Sequence, residues 1–181
     1  GNRGKAQAWG AVLAAGSVLQ SRGSRACWVM LGGGGEVARL KAEAAKRQLA
    51  NMVFLPAVPM AEVGAYLNAA DALLVHLRKD PLFEITIPSK TQAYMTVGKP
   101  LLMAVDGDAA DLVRQSSGGV VAESENPEAL ACAAEQLAAM PVDALAAMGD
   151  KAQRFYREHL ALAEGVRKFS EIFKHNWPPS Q

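Results

Sequence analysis

Short apolar runs alternate along this chain with longer stretches in which apolar residues recur at helical spacing. The continuous runs at 26–31, 52–55, 72–77, 101–105 and 119–122 are bounded by glycine, proline or polar residues, and they predict five buried strands. The periodic stretches at 5–20, 36–49, 61–70, 89–97 and 109–116 predict helices between them. Beyond Pro127 the pattern is helical only. Pro127 stands at a helix start, where its missing N–H costs nothing. Pro141 opens another helix running towards His159, and a last helix is predicted at 162–174. Strands that alternate with helices predict an α/β fold, a parallel sheet covered by helices on both faces. The expected division is 1–140 for the α/β domain and 141–181 for helices packing on it.

Composition narrows the function classes. The chain has 181 residues, half of them hydrophobic, which suffices for a real core. Lys plus Arg is 19 and Asp plus Glu is 18, so the basic surplus that nucleic acid demands is absent. Cys27 and Cys132 fall in apolar or alanine-rich surroundings and read as small core residues of a reducing compartment. Neither has metal-ligand spacing, and His76, His159 and His175 cluster with neither, so no metal site is expected. No apolar run is long enough to span a bilayer, and no signal peptide opens the chain. The start in Gly1-Asn2-Arg3-Gly4 reads as a cut piece of a longer protein.

In a parallel sheet, ligands sit beyond the carboxyl ends of the strands, which directs attention to a few loops. Gly32-Gly33-Gly34-Gly35 follows one strand and opens a helix. It reads either as a backbone that lets a ligand approach or as a tight turn needing positive φ. Pro88-Ser89-Lys90-Thr91 opens a helix after an unusually long connection, 78–88. Ser89 is expected as the N-cap. The helix start with Lys90 reads as an anion site, or as an ordinary capped helix with a surface lysine. Glu84, between Phe83 and Ile85, is either an acceptor for sugar hydroxyls or an exposed loop charge.

Several of these stretches carry a resemblance. Gly1 to Gln7 with Leu13-Ala14-Ala15, Leu31 to Glu36 with Leu40, and Asn51 to Pro59 follow in a familiar order. Ala70 to Val75, and Tyr94-Met95 with Gly98-Lys99-Pro100, continue it. Together they resemble the C-terminal domain of the family-four glycosyltransferases, which have two Rossmann-like domains. Pro88-Ser89-Lys90 is similar to a subgroup that builds O-antigen and exopolysaccharide.

The resemblance implies a Rossmann-like sheet that lacks the family's first strand, whose place is empty or filled by something else. It implies a retaining, metal-independent sugar transfer from a nucleotide diphosphate donor, usually a uridine diphosphate (UDP) sugar, to a cell-surface polysaccharide or lipid-linked acceptor. That donor is a substrate; no cofactor is implied. Pro56, Ala57 and Val58 would hold the base, and Gly33 and Gly34 would allow close approach. Ser89, Lys90 and Thr91 would hold the diphosphate, and Glu84 would contact the donor sugar, so Glu84 and Lys90 would carry the chemistry. The family's second glutamate falls on Ala93, which leaves Gln92 for the ribose. The family's phosphate-binding arginine and lysine fall on Asn2 and Gln7, so Lys90, alone or with Arg3 or Lys5, would supply the charge. The acceptor-binding N-terminal domain would be a partner, and this piece alone is expected to be inactive.

The enzyme would work in the cytoplasm, at the inner face of the cytoplasmic membrane. Lys151, Arg154, Arg157, Arg167, Lys168 and Lys174 make the tail basic, but interleaved Glu158, Glu164 and Glu171 favour a solvated helix over a membrane-surface one. Phe169, Ile172 and Phe173 would offer a dimerisation face. The rival readings are a non-catalytic nucleotide- or phosphate-binding module and a UDP-sugar epimerase-like domain. The epimerase lacks support, because none of the three histidines falls at a promising loop.

Overall fold

Each apolar run becomes a strand, and every pairing is parallel. In the computed structural model, which describes residues 8–161, the order is α1 (Trp9–Ser21), β1 (Trp28–Leu31), α2 (Val37–Lys46), β2 (Met52–Leu55), α3 (Met60–Ala69) and β3 (Leu73–His76). Then come α4 (Pro81–Glu84), α5 (Ser89–Val97), β4 (Leu101–Ala104), α6 (Asp108–Ser116), β5 (Gly119–Ala122), α7 (Pro127–Ala138) and α8 (Val142–Phe155). A π-turn, Tyr156–Leu160, extends α8. The expected final helix, with Phe169, Ile172, Phe173, the basic Arg167, Lys168 and Lys174, and His175, lies outside the described residues. No single helix among the described residues is long and apolar enough to cross a membrane.

The strands form two groups. β1 pairs with β2, and β3, β4 and β5 lie side by side in that order. Among the described residues nothing pairs with the other edge of β1 or of β3. The five strands expected from the pattern are therefore present, in two hydrogen-bonded groups.

Helices cover both faces. On one face, Val12, Leu13, Ala15 and Leu19 of α1 and Leu130, Ala131 and Ala134 of α7 share a core with Met30, Met52, Leu102 and Ala104. This core runs under both strand groups. Arg22 ties α1 to α7 from outside, 2.6 Å from Glu128 and 2.9 Å from Glu135. On the other face, Met95, Ala109, Ala110, Val113 and Ala152 pack on Val75, Leu101 and Met103. Small residues admit α8 there: a Cβ on Gly149 would overlap the Gly98 carbonyl, and one on Gly118 would meet Ala152.

Three local expectations change. The long connection 78–88 is not a plain loop. Asp80 caps the short α4 by accepting from the Leu82 N–H at 2.9 Å, and Pro81 supplies the first helical φ. α2 stops before Leu49, because Gln48 takes a left-handed φ of 53° and closes the helix. Cys27 and Cys132 are exposed, not core. Cys27 precedes the paired strand, and Cys132 lies on the outer side of α7 against Arg22.

Candidate functional site

The carboxyl ends of β3, β4 and β5 gather several buried or paired polar side chains. β3 ends in His76, which is 7% exposed. Its ring stands edge-on to Trp9 at the head of α1, with centroids 4.4 Å apart. The His76 Nδ1 is buried with no hydrogen-bond partner among the described residues. Burial, helped by the nearby charge of Lys90, pulls its pKa from 6.5 down to about 3. His76 is therefore neutral at physiological pH.

Lys90 belongs to the first turn of α5. That helix starts at Ser89, with Pro88 as the capping residue and no side-chain cap bond. Ser89 is therefore the first helical residue and not the N-cap expected for it, because Pro88 already holds the extended φ, ψ that a cap requires. Ser89 itself is exposed. Thr91 turns inward: it is 0% exposed and its N–H donates to the Pro88 carbonyl at 2.8 Å. Its hydroxyl faces the protein interior, so what the turn offers outward is the head of the helix and Lys90. Gln92 is half-buried one residue further on.

Beside this turn, α4 holds Glu84 as its last residue, with the side chain exposed. The Glu84 backbone is clamped against Gly107, in the loop after β4, where any Cβ would overlap it. Leu77, Arg78, Lys79, Phe83, Glu84 and Asp106 line one shallow crevice there. Lys79 is anchored on one side, its Nζ 3.1 Å from Glu123 and its N–H donating to Glu125 at 2.9 Å. The hydrogen bond to Glu123, with the charges of Glu123, Asp106 and Glu84, raises the Lys79 pKa. Asp106 Oδ2 and Ser124 Oγ are buried without a hydrogen-bond partner among the described residues. Such orphaned atoms in a native fold call for a ligand, water or ion.

The remaining predicted residues form a second group. Gly33 and Gly34 follow β1, and Gly34 takes a φ of 128°, accessible to glycine. Pro56, Ala57 and Val58 follow β2. The two loops touch: a Cβ on Gly33 would stand 3.9 Å from the Ala57 Cβ. All the predicted residues therefore lie beyond strand ends or at a helix head, except that Thr91 points inward. Sequence reading took His76 as a buried or sheet-end histidine, which it is, without placing it beside the site, and did not single out Lys79, Asp106 or Gly107. His76 and Asp106 close the apolar strand runs, and that position was the available clue.

This architecture and chain order match a sequence family. The model of the glycosyl transferases group 1 covers residues 10–155. The chain belongs to that family. A curated relative, "Probable glycosyltransferase WbjE" of Pseudomonas aeruginosa, is 26% identical over 165 residues, covering 90% of this chain and 40% of that protein.

Solved structures of glycosyltransferases share the fold. Sucrose-phosphate synthase from Thermosynechococcus elongatus superposes with a TM-score of 0.76 at 14% identity, over 98% of this chain and 44% of that one. Anabaena Alr3699/HepE in complex with UDP gives 0.72 at 17% identity, over 96% and 48%. The chain thus spans less than half the length of each of these relatives, and their family fold is the Rossmann-like one expected.

Proposed function

We propose that this chain is the donor-binding half of a retaining glycosyltransferase that takes a UDP-sugar and passes the sugar to a cell-surface polysaccharide or lipid-linked acceptor. The observation that carries this reading is the placement of Lys90. It heads α5 at the carboxyl edge of the sheet, within electrostatic reach of the buried, neutral His76. A helix head and an ammonium group stabilise a diphosphate both when bound and when it departs with growing charge. UDP bound by the structural relative Alr3699/HepE supports the choice of nucleotide.

In this reading Ser89 and Lys90 cradle the diphosphate without a metal, and Gln92 reaches the ribose. Pro56, Ala57 and Val58 carry the base, with Gly33 and Gly34 leaving it room. Glu84, held by its backbone on Gly107, meets the donor sugar. Thr91 contributes by packing the turn from beneath. The acceptor would bind a companion domain, so the chain alone binds the donor without turning it over, in the cytoplasm at the membrane's inner face.

Isothermal calorimetry with UDP tests the reading. Saturable one-site binding that weakens in Lys90→Ala is expected, and absence of any heat with UDP or UDP-sugars would remove it. Product analysis with the companion domain restored separates a transferase from a nucleotide-binding module that does no chemistry.

A further inference from the structure

Glu125 stands in a conformation that its residue type avoids. It lies in the turn between β5 and α7 with φ 55°, in the left-handed region. Glycine enters that region freely and asparagine with little penalty, whereas a glutamate there has its Cβ crowded by the backbone. A residue held against its preference points to a task for its side chain. The carboxylate has one: its Oε2 accepts the Lys79 N–H at 2.9 Å, across 46 positions of sequence.

The two ends of this bond differ in firmness. The turn that carries Glu125 is fixed from both sides. β5 is paired in the sheet, and Asn126 caps α7, accepting the Ala129 N–H at 3.0 Å while its own amide donates to Glu123 at 2.8 Å. The Lys79 end leads straight into α4. Asp80 accepts the Leu82 N–H through its side chain at 2.9 Å, and its carbonyl accepts the N–H groups of Phe83 and Glu84 at 2.9 and 3.2 Å. No residue of α4 is buried, so packing does little to aim it. Its far end touches the Gly107 backbone. That contact fixes where the short helix sits, and a second is needed to fix its direction.

Glu84 depends on that direction. No side chain among the described residues binds its carboxylate, and the neighbouring Lys79 acts on it through charge alone. Where the carboxylate goes is decided by how α4 is aimed.

We infer that Glu125 is a positioning residue: its carboxylate, gripping the Lys79 amide, aims α4 so that Glu84 meets the donor sugar. Glu125 itself touches no part of the donor. The inference rests on the donor-binding reading, in which Glu84 contacts the sugar and Lys90 the diphosphate. Losing the grip on Lys79 therefore weakens the hold on the sugar and spares the hold on UDP.

Two variants of the chain test it. Asparagine tolerates the φ of 55°, but its side chain is one methylene shorter and falls short of Lys79. Glu125→Asn thus removes the bond without straining the turn, while Glu125→Gln keeps the length and an acceptor oxygen. Calorimetry with UDP, UDP-glucose and UDP-N-acetylglucosamine gives, for each protein, the preference for the tighter sugar nucleotide over UDP. Glu125→Asn is expected to lower that preference roughly tenfold, the scale of one charge-assisted hydrogen bond, with UDP affinity within about twofold of the parent. Glu125→Gln is expected to keep most of the preference. By NMR, the amide resonances of Lys79 and of Leu82 to Glu84 are expected to move in Glu125→Asn and to stay near their parent positions in Glu125→Gln. Unmoved α4 resonances in Glu125→Asn overturn the inference, whether or not a nucleotide binds. So does an unchanged preference, or an equal fall for UDP and its sugars, which would make Glu125 merely structural. A parent that binds UDP with no preference for either sugar removes the Glu84 contact and this inference with it. A parent that binds no UDP removes the donor reading instead, and the resonances then decide whether Glu125 aims α4.

Discussion

Gly107 and Glu84 touch backbone to backbone: a Cβ on Gly107 would fall within the carbonyl group of Glu84. Gly107 also holds φ 75° and ψ −150°, a region open to glycine alone. This contact, more than any side-chain bond, sets where α4 sits relative to the strand ends. Gly107→Ala is expected to destabilise the chain by about 2 kcal/mol or more and to release α4. Urea denaturation reads the first effect and NMR shifts of Leu82 to Ile85 the second. An unchanged midpoint with unmoved resonances would refute the clamp.

Lys90 separates binding from stability. It is half-buried at a helix head, so Lys90→Ala should keep the fold, with an unfolding free energy from urea denaturation within about 1 kcal/mol of the parent. UDP affinity should fall roughly 10- to 100-fold, the scale of one lost charge-assisted bond. Calorimetry on the two proteins gives the comparison, and equal affinities would remove Lys90 from the donor site.

Much of this was legible before any coordinates. Five apolar runs were enough for the strands, because β4 is buried throughout and the other four stay apolar even where they are partly exposed, as at Val29 and Val53, so no polar alternation confuses the reading. Glycine and proline marked most helix ends. The errors have local causes. Asp80 and Pro81 form a cap and first turn within a stretch too short for any helical period to show. Cys27 and Cys132 were assigned by neighbourhood, and neighbourhood does not say which side of a helix or strand end faces water. Thr91 was joined to Ser89 and Lys90 by the resemblance, and the sequence did not show that its side chain is buried, because successive helical residues point about 100° apart. His76 and Gly107 matter through contacts with Trp9 and Glu84, which no linear pattern reveals.

His76 makes stability depend on pH. Its pKa is about 3 when folded against 6.5 for an unperturbed histidine. The unfolded chain therefore binds a proton between these values and the folded chain does not. Stability is full above pH 6.5 and falls as pH drops towards 3, by up to about 1.4 kcal/mol per pH unit from this group. Between pH 7 and pH 5 the loss should be about 2 kcal/mol. His76→Leu should flatten that portion of the urea-midpoint profile. A slope unchanged by the substitution would show that His76 is charged or exposed in solution.

The seat of α8 is equally specific. Gly149 lies against the Gly98 carbonyl, and Ala152 is 0% exposed against Gly118. Gly149→Val should cost about 1–3 kcal/mol by overpacking. It should also break the 2.8 Å bond from Gln153 Nε2 to the Thr96 carbonyl, which holds α8 on the end of α5. Thermal melting tests this; a midpoint equal to the parent's would mean that α8 is not docked there.

Arg22 grips Glu128 and Glu135 across more than a hundred residues of intervening chain. On the ribosome, α1 and β1 emerge long before α7 exists to cover them. At roughly 5–20 residues per second, their apolar face waits about 5–20 seconds for its partner. During that interval the nascent chain is a natural client for a holding chaperone, and slowing translation between α1 and α7 would lengthen its exposure to proteases.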